Sequence, residues 1–127
     1  MSRAIADTSV FIARETGRPL GDLPDEIAVS VVTAAELELG VLRASDPASR
    51  AIRLRTLSRV RAGHPLLPID DQTASCFAQL ADEQIRAGKK PRRHDTWIAA
   101  TALRHNAAVL TQDADFGVFT SIEVIRV

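Results

Sequence analysis

Five short apolar runs, at 4–6, 27–30, 66–69, 108–110 and 122–127, alternate with longer stretches that carry helix formers and helix stop signals. This alternation constrains the fold more than any other feature. Runs of this length suit buried strands, while the intervening segments are long enough for helices. Residues 9–15 read as a short helix closed by Gly17 and Pro19. Residues 33–43 place Leu37, Val41 and Leu42 on a usable helical face. Asp46-Pro47 is a restart, an Asp N-cap with Pro in the first helical position, and that helix should run to about Arg61 and stop at Gly63. Asp70 or Asp71 caps a further helix that carries Phe77, Leu80 and Ile85 and ends at Gly88. The last helix, alanine-rich, spans 95–105, and Asn106 suits its C-terminal turn. Pro68 marks the run at 66–69 as an edge or a strand end. Strands separated by helices imply crossover connections, and so a three-layer α/β fold with a mainly parallel sheet of four to five strands. No linker divides the 127 residues, a length that fits one domain with a real core.

No apolar stretch is long enough to span a bilayer, and the N-terminus reaches Asp7 before any run could serve as a signal-peptide core. The single cysteine, Cys76, excludes an intramolecular disulfide and is expected to be a buried structural thiol. These features predict a soluble, cytoplasmic protein. Sixteen basic and sixteen acidic residues cancel, so any nucleic-acid footprint must be local. Its candidates are Lys89-Lys90-Pro91-Arg92-Arg93 and Arg50, Arg53, Arg55, Arg59 and Arg61.

Four acids fall at equivalent places on this outline. Asp7 follows the first strand, Glu36 lies in the first turn of the helix after the second, Asp95 starts the alanine-rich helix, and Asp113 follows the fourth strand. In a parallel α/β sheet, strand C-termini and the N-termini of the following helices share one edge, where ligands bind. Clustered carboxylates repel one another unless a cation sits among them. An oxygen-only ligand set suits Mg²⁺ or Mn²⁺. Each acid also has a structural explanation. Thr33-Ala34-Ala35-Glu36 matches a capping box, Asp95 is a possible N-cap, and Asp113 and Asp115 are possible turn residues. Asp7 is the hardest to explain so, because a carboxylate ending a buried central strand is costly without a partner.

These residues carry a resemblance. Ile5-Ala6-Asp7-Thr8-Ser9, the stretch from Val29 through Thr33 and Glu36 to Gly40, His94-Asp95-Thr96-Trp97-Ile98-Ala99-Ala100, and Leu110-Thr111-Gln112-Asp113-Ala114-Asp115-Phe116 stand in one order along nearly the whole chain. In that order and spacing the chain resembles the PIN domain, and within it the VapC-type ribonuclease toxins of bacterial toxin–antitoxin pairs. The resemblance implies a three-layer PIN-domain fold and acids that bind one or two divalent ions. It makes Asp7 and Asp95 the principal metal ligands, and Glu36 a ligand or the residue that orients the attacking water. Both Asp113 and Asp115 fit the fourth acid, with Asp113 favoured and Asp115 in support. Thr8, Ser9 and Thr111 match small hydroxyl positions that hydrogen-bond ligand carboxylates or a phosphate, although turn and cap chemistry accounts for them equally well. Arg92-Arg93-His94 before Asp95 is more basic than the pattern.

The implied activity is metal-assisted hydrolysis of RNA phosphodiester bonds, with Mg²⁺ or Mn²⁺ activating a water. Lys89, Lys90, Arg92 and Arg93 are expected to hold flanking phosphates. No nucleophilic serine, cysteine or histidine is needed, and His64, His94 and His105 have no assigned role. The resemblance further implies an inhibiting antitoxin and a homodimer. The helices at 33–43 and 48–62 could offer an apolar groove to an antitoxin helix, though core packing is an alternative use for their leucines. Two rival readings are an aspartyl-phosphate phosphohydrolase or phosphotransferase with Asp7 as nucleophile, and a non-catalytic PIN-like binding module. The first expects a second Asp two residues after Asp7, where Ser9 stands.

Overall fold

A computed structural model of the chain describes residues 3–127. The strands are β1 (Arg3–Ala6), β2 (Glu26–Ser30), β3 (Leu66–Leu67), β4 (Ala108–Thr111) and β5 (Val124–Arg126). The helices are α1 (Thr8–Glu15), α2 (Val31–Leu42), α3 (Pro47–Gly63), α4 (Asp71–Arg86) and α5 (Arg93–Arg104), with a 3-10 turn at Ala114–Val118. All strands are parallel, in the order β3-β2-β1-β4-β5, so β1 is central and β3 and β5 are edges. The expected α/β class is therefore present, with five strands where four to five were expected and β3 reduced to a two-residue edge before Pro68.

Alternation along the strands divides the core in two. Ala4, Ala6, Val29 and Leu110 face one side and pack with Val10 and Phe11 of α1, Leu37 and Val41 of α2, and Leu57 and Val60 of α3. Ile5 and Val109 face the other side and pack with Leu80 of α4, Ile98 and Ala102 of α5, and Phe116. A sheet covered on both faces has apolar residues at nearly every position, which is why its strands read as continuous apolar runs. Among the described residues no helix is long and apolar enough to cross a membrane.

Several local expectations are corrected. Helix α2 begins at Val31, where the Ser30 side chain accepts from the Val32 N–H, so Thr33 is not the N-cap and no capping box forms. Glu36 consequently lies in the second turn. Helix α5 begins at Arg93, which puts Asp95 third in the helix. Cys76 is half-buried rather than buried. Asp46 is the N-cap that the sequence placed, and of the alternatives Asp70 and Asp71 the cap is Asp70; each accepts a backbone N–H at 2.8 Å.

Candidate metal centre

Asp7 ends the central strand and caps α1. It is 5% exposed. Its Oδ2 accepts from the Thr111 hydroxyl at 3.0 Å and, more loosely, from the Ser9 N–H at 3.4 Å. The Thr111 proton is thus spent on Asp7. Ser9 Oγ, 3.1 Å from Thr111 Oγ1, must then be the donor of that pair, and Thr111 also accepts from the Asp113 N–H at 3.0 Å. The Gln112 N–H in turn donates to Ser9 Oγ at 2.9 Å. The small hydroxyls therefore form a chain that fixes one face of Asp7 and ties β1 to the end of β4.

Glu36 is reached from α2. The Thr8 hydroxyl donates to its Oε1 at 3.0 Å, while His94 Nδ1 stands 3.7 Å from its Oε2. Partial burial pushes the Glu36 carboxyl above its usual range; the Thr8 hydrogen bond and nearby His94 counter this, and the negative charges of Asp7 and Asp95 add to it. Asp95 is raised too, first by burial, then by Asp7, with Arg92 opposing and Asp113 adding a smaller push. These cross-influences put Asp7, Glu36, Asp95 and Asp113 in one electrostatic neighbourhood at the C-terminal edge of the sheet.

The two acids that the sequence could not separate differ here. Asp115 lies 2.9 Å from Arg92 Nη1, and the same nitrogen donates to Asp95 Oδ2 at 3.3 Å. Asp113, at the start of the 3-10 turn, makes no side-chain capping bond and has no ion pair among the described residues. Arg92 itself is positioned by a residue that sequence reasoning missed. Gln84 of α4, 4% exposed, accepts the Arg92 N–H at 3.2 Å and donates to Thr96 Oγ1 at 3.0 Å. The Thr96 hydroxyl bonds the Arg92 carbonyl. A glutamine inside an otherwise amphipathic helix gives no sign of such a partner.

As the side chains stand, no three carboxylates, imidazoles or thiols among the described residues converge on one ion position. Each acid is drawn to its own partner: Asp7 to Thr111, Glu36 to Thr8, and Asp95 to Arg92. The donor set nevertheless fits a hard divalent cation. It is all oxygen, two members are held above their usual pKa by crowding and burial, and the cluster has already drawn one cationic group, Arg92, onto Asp95. A shallow depression of about 380 Å³ is lined by Arg92, Arg93, His94 and Asp95. Two cavities, of about 460 and 630 Å³, open instead around Arg3 and Ala107 at the start of β1 and β4, away from the acids.

Lys89, Lys90 and Arg93 are exposed beside this depression or just before it, whereas Arg92 is engaged by the two aspartates. On α2 and α3, Leu39, Leu42, Ile52 and Leu54 are exposed while Leu37, Val41, Leu57 and Val60 are core.

Residues 4–120 match the model of the PIN domain. The chain is 45% identical to Ribonuclease VapC5 of Mycobacterium tuberculosis (strain ATCC 25618 / H37Rv), across 97% of this chain and 94% of that protein. It is 43% identical to Ribonuclease VapC4 of the same strain, across 98% and 97%. Among solved structures, VapBC-5 from Mycobacterium tuberculosis, a member of the VapBC family of toxin–antitoxin systems, superposes with a TM-score of 0.88 at 41% identity, covering 100% of both chains. A sheet of this topology, a match over residues 4–120 and identities above 40% across nearly whole relatives lead to one conclusion: the chain belongs to the PIN-domain family.

Proposed function

We propose that this chain, as a single domain, is a Mg²⁺- or Mn²⁺-dependent endoribonuclease acting in the cytoplasm as the toxin of a VapBC-type pair. The observation that carries the reading is the shared electrostatic neighbourhood of Asp7, Glu36, Asp95 and Asp113 at the strand C-termini. The names of the relatives, ribonucleases and a toxin–antitoxin family member, support it. Asp7 and Asp95 would hold the ion, with Glu36 and Asp113 completing its shell and Asp115 acting in support through Arg92. When bound, such an ion lowers the pKa of a water and neutralises charge on the transferring phosphoryl group. The chain's own groups do the rest. Thr111 and Ser9 fix Asp7 in one orientation. Thr8 holds Glu36 by Oε1, and Oε2, 3.7 Å from His94 Nδ1, would take a proton from water, a task for which a raised carboxyl is suited. Lys89, Lys90 and Arg93 offer positive charge to flanking phosphates, while the charge of Arg92 is shared with Asp95 and Asp115.

The partners proposed are RNA, a small VapB-like antitoxin and a second copy of the chain. Light scattering should read a dimer mass, and a stable monomer at micromolar concentration would remove that element. The reading itself is tested by cleavage of total RNA with Mn²⁺ or Mg²⁺, with EDTA, and by an Asp7→Asn variant. Cleavage by wild type alone, abolished by EDTA, is expected. Metal binding without any cleavage would sink the nuclease assignment.

A further inference from the structure

An RNA strand crossing four carboxylates needs cations close beside them, because its own phosphates are repelled by the same acids. On the α5 side the nearest guanidinium, Arg92, is already compensated by Asp95 and Asp115. The opposite side, toward the β5 edge, is different. Gln112 stands between Thr111, which bonds Asp7, and Asp113. Every hydrogen-bonding group of Gln112 is used. Its N–H donates to Ser9 Oγ, and its side-chain amide donates to the main-chain oxygens of Pro19 at 3.2 Å and Val127 at 2.8 Å. Its Oε1 accepts from Arg18 Nη1 at 3.3 Å, and its backbone carbonyl accepts from Arg126 Nη2 at 3.0 Å. Arg126 faces Thr111 in the register of β4 and β5, so it lies at the same sheet edge as the acids.

Both arginines are exposed, each gives hydrogen bonds only to neutral oxygen, and among the described residues neither has a carboxylate in ion-pair distance. A guanidinium has five N–H donors in a fork that fits phosphate oxygens, so each retains most of its capacity. We propose that Arg18 and Arg126, anchored on Gln112, form a phosphate-binding wall that holds the RNA backbone on the β5 side of the acids. This rests on the ribonuclease reading and adds to it the residues that locate the strand.

The test measures affinity for a short, unstructured, fluorescein-labelled single-stranded RNA by anisotropy in Mg²⁺, on an Asp7→Asn background that prevents cleavage. In that background R18A/R126A should flatten the plot of log affinity against log salt by about 1.4, two single-strand phosphate contacts at ~0.7 each. Its deficit relative to the parent should therefore shrink about sevenfold between roughly 50 and 200 mM salt. R18K/R126K, which keeps both charges, should keep the parental slope. R3A/R43A, which removes equal charge at the start of β1 and the end of α2, should keep it also. An unchanged slope for R18A/R126A, an equal flattening by R3A/R43A, or a Lys pair that behaves like the Ala pair overturns the wall. If the Ala pair melts at lower temperature, R18Q/R126Q, which keeps side-chain N–H donors and removes both charges, takes its place, and an unchanged slope for it overturns the wall. Cleavage of total RNA by wild type, measured separately, distinguishes failure of the wall from failure of the ribonuclease reading beneath it. A parent that binds no RNA overturns the wall outright.

Discussion

At the scale of single residues, the two aspartates of the 113–115 stretch have different neighbours despite lying two positions apart. Asp115 is committed to Arg92, while Asp113 has no side-chain capping bond and contributes repulsion to Asp95. If the proposed centre is right, Asp113→Asn should weaken Mn²⁺ binding about tenfold or more, since affinity for hard cations follows ligand charge. Asp115→Asn should act only by releasing Arg92 toward Asp95. Its effect should vanish in an Arg92→Gln background. Calorimetric titration of the single and double variants checks this, and an undiminished Asp115 effect without Arg92 would make Asp115 a ligand. The sequence narrowed the choice to these two residues and could go no further, because a salt bridge between residues 92 and 115 is a tertiary event. The same holds for Arg126, which meets Gln112 because β5 pairs with β4, and for Arg18, which reaches the Gln112 side chain from beyond α1. By contrast, the hydroxyls Thr8, Ser9 and Thr111 were legible beside their acids, and each bonds a carboxylate or the hydroxyl chain behind one.

Among the elements, the α4–α5 corner decides where Asp95 points. Gln84 receives the Arg92 N–H and reaches Thr96, so one buried amide sets the entry to α5. Replacing it with alanine leaves the Thr96 hydroxyl and a backbone N–H short of a partner at a nearly buried position. Gln84→Ala should cost about 1–3 kcal/mol in urea unfolding. Mn²⁺ affinity should fall as well, because Asp95 loses its fixed approach. A loss of stability with full metal affinity would make Gln84 purely structural. The element boundaries show where cap chemistry misleads. Ser30 and Thr33 are both acceptable N-caps by type, and Ser30 is used because β2 ends there. Thr33 is left fully buried inside the helix, its hydroxyl unpartnered among the described residues. Asp46-Pro47 had no rival nearby, and it caps α3 as expected.

The whole molecule answers to pH through two opposed sets of acids. Asp46 and Asp70 are lowered by their capping bonds, backbone first, so the stability they lend is present above ordinary carboxylate pKa values and fades as pH falls through the lowered ones. Glu36 and Asp95 are raised, chiefly by burial, so in the metal-free protein they favour stability at low pH, and that contribution is lost as pH rises through their raised values. A bound divalent ion requires them ionised and reverses this second effect. The gain in melting temperature from Mn²⁺ should therefore be largest near neutrality and fade as pH falls toward the ordinary carboxylate range, with about 2.7 kcal/mol available at a hundredfold excess over Kd. Thermal melts with Mn²⁺ and with EDTA across that range check it. A gain that does not change with pH would mean that the ion binds elsewhere.

By itself the sequence determined the fold class, the helix count, the strand count to within one, and the sheet edge on which the acids gather. These follow from local periodicity, from cap and stop residues, and from the rule that parallel strands expose their C-termini together. Only the tertiary structure decided which of Asp113 and Asp115 is bound to Arg92, how Gln84 seats α5, and that Arg18 and Arg126 meet on Gln112. Such pairings join residues 8 to 94 positions apart, and no periodicity along the chain encodes them. They are set by how the strands align and how the helices pack, and so they become visible only when the sheet has closed.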